Sequence, residues 1–142
     1  MVEKELIKRK LSFLEEYHKD LTEVSLGLVY KKFSEDKIIR RFIERTLHLA
    51  IECCLDISQH IISYEKYREP VSNQDIFQIL IEENILDKDL GENLKKMAQF
   101  RNVIVHEYIK INPEIIYSIL KKNLPDISKF SNLIIKKFIS EK

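Results

Sequence analysis

Apolar side chains recur along the chain at spacings of three, four and seven residues, which places them on one face of a helix. The pattern predicts a first long helix from Val2 to about Lys32. Ser34, followed by two acidic residues, is typical of a helix N-cap, so a second helix is predicted from there to about Ser63. This second helix is apolar on most sides. We therefore expect it to be central in a bundle or buried between subunits.

The second half of the chain contains three shorter helical segments separated by turn-forming residues. A short amphipathic helix carries Ile76, Phe77, Leu80 and Ile81. The next helix begins near Lys88 and is expected to bury Leu90, Leu94, Met97, Ala98 and Val105. A fifth segment begins after Asn112, since proline is tolerated at the first helical position. The breaks between these segments are predicted at Pro70 with Ser72–Asn73, at Asn84 with Asp87, at Asn112–Pro113 and at Pro125.

Composition supports one all-α domain. The chain has 142 residues, enough for one hydrophobic core, and only two glycines and three prolines. No repeat or linker divides it, so residues 1–142 are predicted to form one helical bundle of about five to six helices. Cys53 and Cys54 are adjacent and are expected to be reduced and packed near the core. No stretch approaches the roughly 20 apolar residues of a membrane span, and a signal peptide is not apparent. We expect a cytoplasmic protein without membrane contact.

The charge balance limits how the chain can bind nucleic acid. A formal net charge of +1 excludes a chain-wide positive field that would bind nucleic acid through counterion release. Seven lysines from Lys110 onward, against three acidic residues, form a local excess that either attracts RNA or is a solvated helix face. Any RNA contact is therefore expected to be local.

Reactive chemistry is concentrated near residue 101, in the sequence Arg-Asn-Val-Ile-Val-His-Glu-Tyr. Arg101 offers a permanent planar cation that can hold a phosphate through two hydrogen bonds, and His106 titrates near neutrality. At about 100° per residue, Arg101 and Tyr108 share one edge of a helix, and Asn102 and His106 share the other. Asn102 is thus placed to orient the imidazole or to contact a phosphate. This combination suits phosphodiester chemistry.

The motif Arg-x4-His-x-Tyr, with asparagine directly after the arginine, resembles the HepT branch of the HEPN superfamily of small all-helical ribonuclease toxins. The segment 44–62, in the second predicted helix, is also similar to the long second helix of HepT proteins. The resemblance implies a HEPN-type bundle that forms a two-fold homodimer. It also implies a partner, the minimal nucleotidyltransferase antitoxin MntA, which silences HepT proteins by transferring AMP to the motif tyrosine, at Tyr108 here.

The same resemblance implies metal-independent endoribonuclease chemistry without a cofactor. His106 would assist proton transfer as the RNA 2′-hydroxyl attacks the adjacent phosphorus, and Arg101 would stabilise the charge on the phosphoryl oxygens. Asn102 would position His106 or the phosphate. Tyr108 would stack a base or bond a phosphate, in addition to being the modification site.

Two pairs in the second predicted helix have the spacing of helical metal ligands: His48 with Glu52, and Asp56 with His60. Neither pair is accompanied by the repeats that make a metal site persuasive, so we predict no metal. Asp56 and His60 also remain candidates for supporting the active site, against ordinary hydrogen bonding.

Two other functions are compatible with the sequence. One is a non-catalytic helical subunit that helps a nucleotidyltransferase hold its substrate. The other is a structural dimerising bundle in which the motif has no chemical role.

Overall fold

A computed structural model describes residues 3–106 and 112–139, and the side chains within residues 102–106 lie outside the description. The described part contains no β-strand. It contains seven α-helices, more than the five to six predicted, and ends in a π-helical turn at Ile135–Ile139. The helices are α1 Lys4–Ser25, α2 Tyr30–Glu35, α3 Lys37–Glu65, α4 Asn73–Glu82, α5 Lys88–His106, α6 Pro113–Lys122 and α7 Leu124–Ile134.

The long helix α3 lies at the centre of the bundle. It contacts α1, α2, α4, α5 and α7, so its apolar residues meet neighbours on most sides, as its sequence predicts. Its fully buried residues include Ile43, Leu47, Ala50, Ile57 and Ile61. The side chains of Cys53 and Cys54 are buried as expected, and neither is in a disulfide. The prediction of a central second helix is confirmed for α3.

The start of α3 differs from the prediction. Its N-cap is Asp36, whose Oδ1 accepts hydrogen bonds from the backbone N–H groups of Ile38 at 3.1 Å and Ile39 at 3.0 Å. The bond from Ile39, together with the nearby ammonium group of Lys32, holds the pKa of Asp36 below its usual value. Ser34, the predicted cap, lies inside α2 and donates its hydroxyl to the carbonyl of Lys31 at 3.1 Å. The predicted cap was therefore wrong by two residues.

The predicted first helix is divided in two. Gly27 has a φ of 68°, in the left-handed region that glycine adopts without a Cβ clash, and the chain turns there between α1 and α2. The apolar periodicity continues through the turn because Leu28 and Phe33 still pack into the core. A hydroxyl from Tyr117 on α6 donates to the carbonyl of Leu28 at 3.0 Å and fixes the turn against the C-terminal half.

The connection from α3 to α4 is held by an ion-pair cluster. Arg68 donates two hydrogen bonds of 2.7 Å to the carboxylate of Asp75 and two more, of 3.0 and 3.1 Å, to Glu82. The guanidinium holds the pKa of Asp75 down to about 2. Ser72 caps α4 by accepting from the N–H of Asp75 at 3.0 Å. The predicted break at Pro70 and Ser72–Asn73 is confirmed.

Helix α5 carries the motif and packs closely on α4. The approach is tight because Gly91 faces Ile81, and a Cβ at position 91 would collide with that side chain. Asp87 caps α5 as predicted, accepting from the N–H of Leu90 at 2.8 Å, and Asn84 has a φ of 59° at the break. Leu90, Leu94, Met97 and Ala98 are buried as predicted. The side chain of Val105 lies outside the description.

The remaining predicted breaks are also found. Asn112 caps α6 by accepting from the N–H of Glu114 at 2.8 Å, with Pro113 at the first turn. Pro125 lies in the first turn of α7, where it restarts the helix. Within the described ranges, no helix is both long enough and apolar enough to cross a membrane.

Candidate functional site

The fold brings Arg101, near the C-terminal end of α5, against the middle of α3. Its Nε donates a hydrogen bond to Oε1 of Glu52 in an ion pair. The two side chains keep 23% and 33% of their surface exposed, so the pair lies at the surface of the bundle. A pair this exposed contributes on the order of 1 kcal/mol or less to stability. Its main physical effect is therefore to fix where the guanidinium lies.

Two more side chains of α3 extend this pair into a cluster. Nε2 of His48 lies 3.8 Å from Oε1 of Glu52, and Nδ1 of His48 lies 3.5 Å from Nη1 of Arg45. An arginine can only donate, so Nδ1 must accept and the proton of a neutral imidazole is on Nε2, facing Glu52. We name these four residues, Arg45, His48, Glu52 and Arg101, the α3–α5 polar cluster.

The surroundings of His48 favour its neutral form. Burial is the largest cause that lowers its pKa below the usual value, and the guanidinium groups of Arg101 and Arg45 lower it further. The carboxylate of Glu52 acts in the opposite direction and raises it. With His48 neutral, the α3–α5 polar cluster has two cations and one anion, which leaves a net local charge of about +1. The cluster is thus attractive to a phosphate.

The predicted site residues are described to different extents. Arg101 is placed at the surface, next to α3, where a phosphate could reach it. The backbone of Asn102 and His106 belongs to α5, whose described part reaches His106, while the side chains of both residues lie outside the described part. Tyr108 lies outside the described residues altogether. The predicted grouping of Arg101 with the other three therefore remains a prediction.

Sequence reasoning weighed His48 and Glu52 only as a metal pair and missed their relation to Arg101. The available signal was the spacing of Arg45, His48 and Glu52, which recur at three and four residues on one side of a long, largely buried helix. Among the described residues, no group of three or more His, Cys, Asp or Glu side chains could hold a metal ion. The other candidate pair has separate partners, since Asp56 pairs with Lys10 at 3.3 Å and His60 Nε2 accepts from the N–H of Glu3 at 3.4 Å.

An exposed stripe on α3 leads directly into the polar cluster. Ile38 is 82% exposed and Phe42 is 44% exposed, which is unusual for side chains of this size. Arg45 and Glu52 follow at helical spacing on the same face, with the half-buried Leu49 between them. We name Ile38, Phe42 and Leu49 the α3 apolar stripe. It places an apolar surface beside the charged one.

The electrostatics of His48 give a direct test of the α3–α5 polar cluster. We expect Arg101→Gln to raise the pKa of His48, because a nearby positive charge is removed, and Glu52→Gln to lower it, because a nearby negative charge is removed. NMR titration of the His48 ring signals measures both shifts. His18→Ala, on α1, serves as an assignment control. Shifts of the same sign in both variants would contradict the arrangement.

The chain is similar to known nucleases. The chain is 32% identical over 95 residues to the mRNA nuclease HepT of Shewanella oneidensis, covering 67% of this chain and 71% of that protein. It is 30% identical over 113 residues to the tRNA nuclease HepT of Aphanizomenon flos-aquae, covering 80% of this chain and 71% of the relative.

A solved structure is also similar over nearly its whole length. It is the tri-AMPylated Shewanella oneidensis HEPN toxin in complex with its MNT antitoxin, with a TM-score of 0.83 and 28% identity, covering 92% of this chain and 97% of that chain. The family model described as Ribonuclease HepT-like matches residues 14–134. The match spans all seven helices except the first part of α1. The chain therefore belongs to the HepT-like ribonuclease family of the HEPN superfamily.

Proposed function

We propose that this protein is a metal-independent endoribonuclease and the toxin of a HepT/MntA-type toxin–antitoxin pair. The observation that carries the proposal is the placement of Arg101, a partly exposed guanidinium paired with Glu52 on the same helix as His106. The similarity to nucleases named for mRNA and tRNA supports RNA as the substrate class.

The proposed reaction is attack of the RNA 2′-oxygen on the adjacent phosphorus. The O–P bond to the 5′-oxygen of the next nucleotide breaks as the new bond forms, which gives a 2′,3′-cyclic phosphate and a free 5′-hydroxyl. His106 transfers a proton, from the 2′-hydroxyl or to the leaving 5′-oxygen. Arg101 stabilises the negative charge that develops on the phosphoryl oxygens. Asn102 orients His106 or the phosphate, and Tyr108 contacts a base or a phosphate.

We further propose that the active enzyme is a two-fold homodimer joined through α3 and α5. The α3 apolar stripe supports this, because it leaves the large side chains of Ile38 and Phe42 exposed one turn apart on the central helix. The stripe runs into the α3–α5 polar cluster, so a two-fold contact there brings both copies of the motif to one cleft. The second copy then offers the second proton-transfer group that a single motif histidine does not supply.

The antitoxin partner completes the proposal. The similar Shewanella toxin was solved with an MNT antitoxin and carries AMP groups. We propose an MntA-like nucleotidyltransferase as the partner of this chain, acting in the cytoplasm, with Tyr108 as the acceptor of AMP. An adenylyl group there adds a bulky anion seven residues from Arg101 in the motif, and we expect it to compete with RNA phosphate.

The catalytic assignments predict the effect of two substitutions. Arg101→Ala and His106→Ala are each expected to lower RNA cleavage by about a hundredfold or more, from the loss of charge stabilisation and of proton transfer. Cleavage of total RNA and growth inhibition on expression measure the effect, and helical circular dichroism verifies the fold. Arg9→Ala and His18→Ala, both on α1, are matched controls. Parental cleavage by either motif variant would show that its assignment is wrong.

The dimer proposal predicts that a charge within the α3 apolar stripe separates the subunits. Phe42→Arg is expected to convert a dimer to a monomer at micromolar concentration, because it places two guanidinium groups against each other at a two-fold contact. Sedimentation velocity measures the mass. Val71→Arg is the control, since Val71 is 88% exposed in the connection after the opposite end of α3. A parent protein that sediments as a monomer would remove the proposed interface.

The modification proposal predicts that coexpression with a cognate nucleotidyltransferase adds one or more AMP groups at Tyr108 and suppresses cleavage. Tyr108→Phe keeps the ring but lacks the acceptor oxygen, so it should escape both effects. Intact mass and peptide mapping measure the addition. Tyr64→Phe, which removes a hydroxyl from another exposed tyrosine, should leave modification unchanged. AMP found on a different tyrosine, or silencing of unmodified protein, would contradict the assignment.

A further inference from the structure

The ion pair between Glu52 and Arg101 joins two helices that come from distant parts of the sequence. Arginine has a long, flexible side chain, and an exposed guanidinium samples many rotamers unless a partner restricts it. Glu52 provides such a restriction because α3 packs against five other helices, so its backbone is held on several sides. The carboxylate of Glu52 therefore has a defined position, and the hydrogen bond to it orients the guanidinium plane of Arg101.

The contact uses Nε, the guanidinium nitrogen nearest the main chain. A guanidinium carries its N–H donors in a rigid planar fork, so a bond at Nε restrains the plane of the whole group. The direction in which the Nη nitrogens point then follows from the position of Glu52. Phosphate recognition by arginine depends on this orientation because the two parallel hydrogen bonds require the fork and the phosphate oxygens to be coplanar.

The remaining members of the α3–α5 polar cluster keep this arrangement compatible with an anionic substrate. A carboxylate next to a phosphate-binding arginine would by itself cancel its charge. Arg45 adds a second positive charge, since it lies two turns before Glu52 on α3 and its Nη1 is 3.5 Å from Nδ1 of His48. His48 directs its Nε2 toward Glu52 at 3.8 Å and shields part of that charge. The cluster thus orients Arg101 without making the local field negative.

We propose that Glu52 is a positioning residue of the ribonuclease, acting through Arg101 to align the guanidinium with the scissile phosphate. This inference rests on the proposed nuclease function and goes beyond it, because it assigns a role to a residue outside the motif. Glu52 does not contact RNA or transfer a proton in this scheme. Its removal leaves Arg101 charged and in reach of the phosphate, but poorly oriented.

The test combines RNA cleavage with an NMR measurement on Arg101. Glu52→Gln keeps the shape of the side chain and removes its charge. We expect cleavage to fall by about tenfold to a hundredfold, the range seen when groups that orient functional ligands are removed. Asp56→Asn is the matched control, since Asp56 lies one turn further along α3 and pairs with Lys10 rather than with Arg101. Its cleavage rate should stay within twofold of the parent, and both variants should melt near the parental temperature.

A second experiment separates an effect of Glu52 that acts through Arg101 from an effect that does not depend on Arg101. In an Arg101→Lys background, which retains charge but lacks the planar fork, Glu52→Gln is expected to cause less than a twofold further loss. The Nε–H signal of Arg101 should exchange with water at least severalfold faster in Glu52→Gln than in the parent or in Asp56→Asn. This exchange rate is measured without any RNA.

The outcomes are distinguishable. Parental cleavage by Glu52→Gln, or an equal fold-loss in the parental and Arg101→Lys backgrounds, would overturn the positioning role while the nuclease function stands. Unchanged Nε–H exchange would show that Glu52 does not restrain Arg101, which also overturns it. A folded parent protein that cuts no RNA, alone or on expression, would instead refute the proposed function and the positioning role with it.

Discussion

The burial of α3 is the constraint on which the rest of the structure depends. This helix of 29 residues is packed by five others, so its backbone direction sets where α1, α4, α5 and α7 can lie. Burial of its apolar side chains stabilises the fold by about 25 cal/mol for each Å² removed from water, far more than the surface ion pairs contribute. A side chain on α3, or one that pairs with it, therefore has a well-defined position.

One side of α3 is not buried, and this side carries the polar side chains of the candidate site. Ile38 and Phe42 are exposed there, and Arg45, His48 and Glu52 follow on the same side of the helix. Helix α5 packs closely on α4 at Gly91 and also contacts α3, where Arg101 meets Glu52. The candidate site thus forms where two helices pack together: α3 supplies Glu52, and α5 supplies Arg101 and the motif.

Much of the fold was predictable because its signals are local. Asp87, Asn112 and Pro125 act on the residues directly beside them, so their positions in the sequence indicate where α5, α6 and α7 begin. The first helix was predicted too long because the apolar period continues past Gly27, and periodicity alone does not report a left-handed glycine. The cap of α3 was misplaced because Ser34 and Asp36 are both good capping residues. Only the path of the chain between α2 and α3 selects one of them.

The sequence by itself predicted the helical class and a second helix that is buried on most sides, and it indicated Arg101, Asn102, His106 and Tyr108 as the candidate residues for phosphodiester chemistry. These follow from side-chain chemistry and from spacing along one helix. Tertiary structure alone decided that Glu52 would pair with Arg101. Glu52 is 49 residues away in sequence, and its spacing to His48 pointed toward a metal pair. A contact between two helices depends on how their surfaces pack. Packing is the sum of many weak interactions from the whole core, so no local sequence pattern encodes the contact.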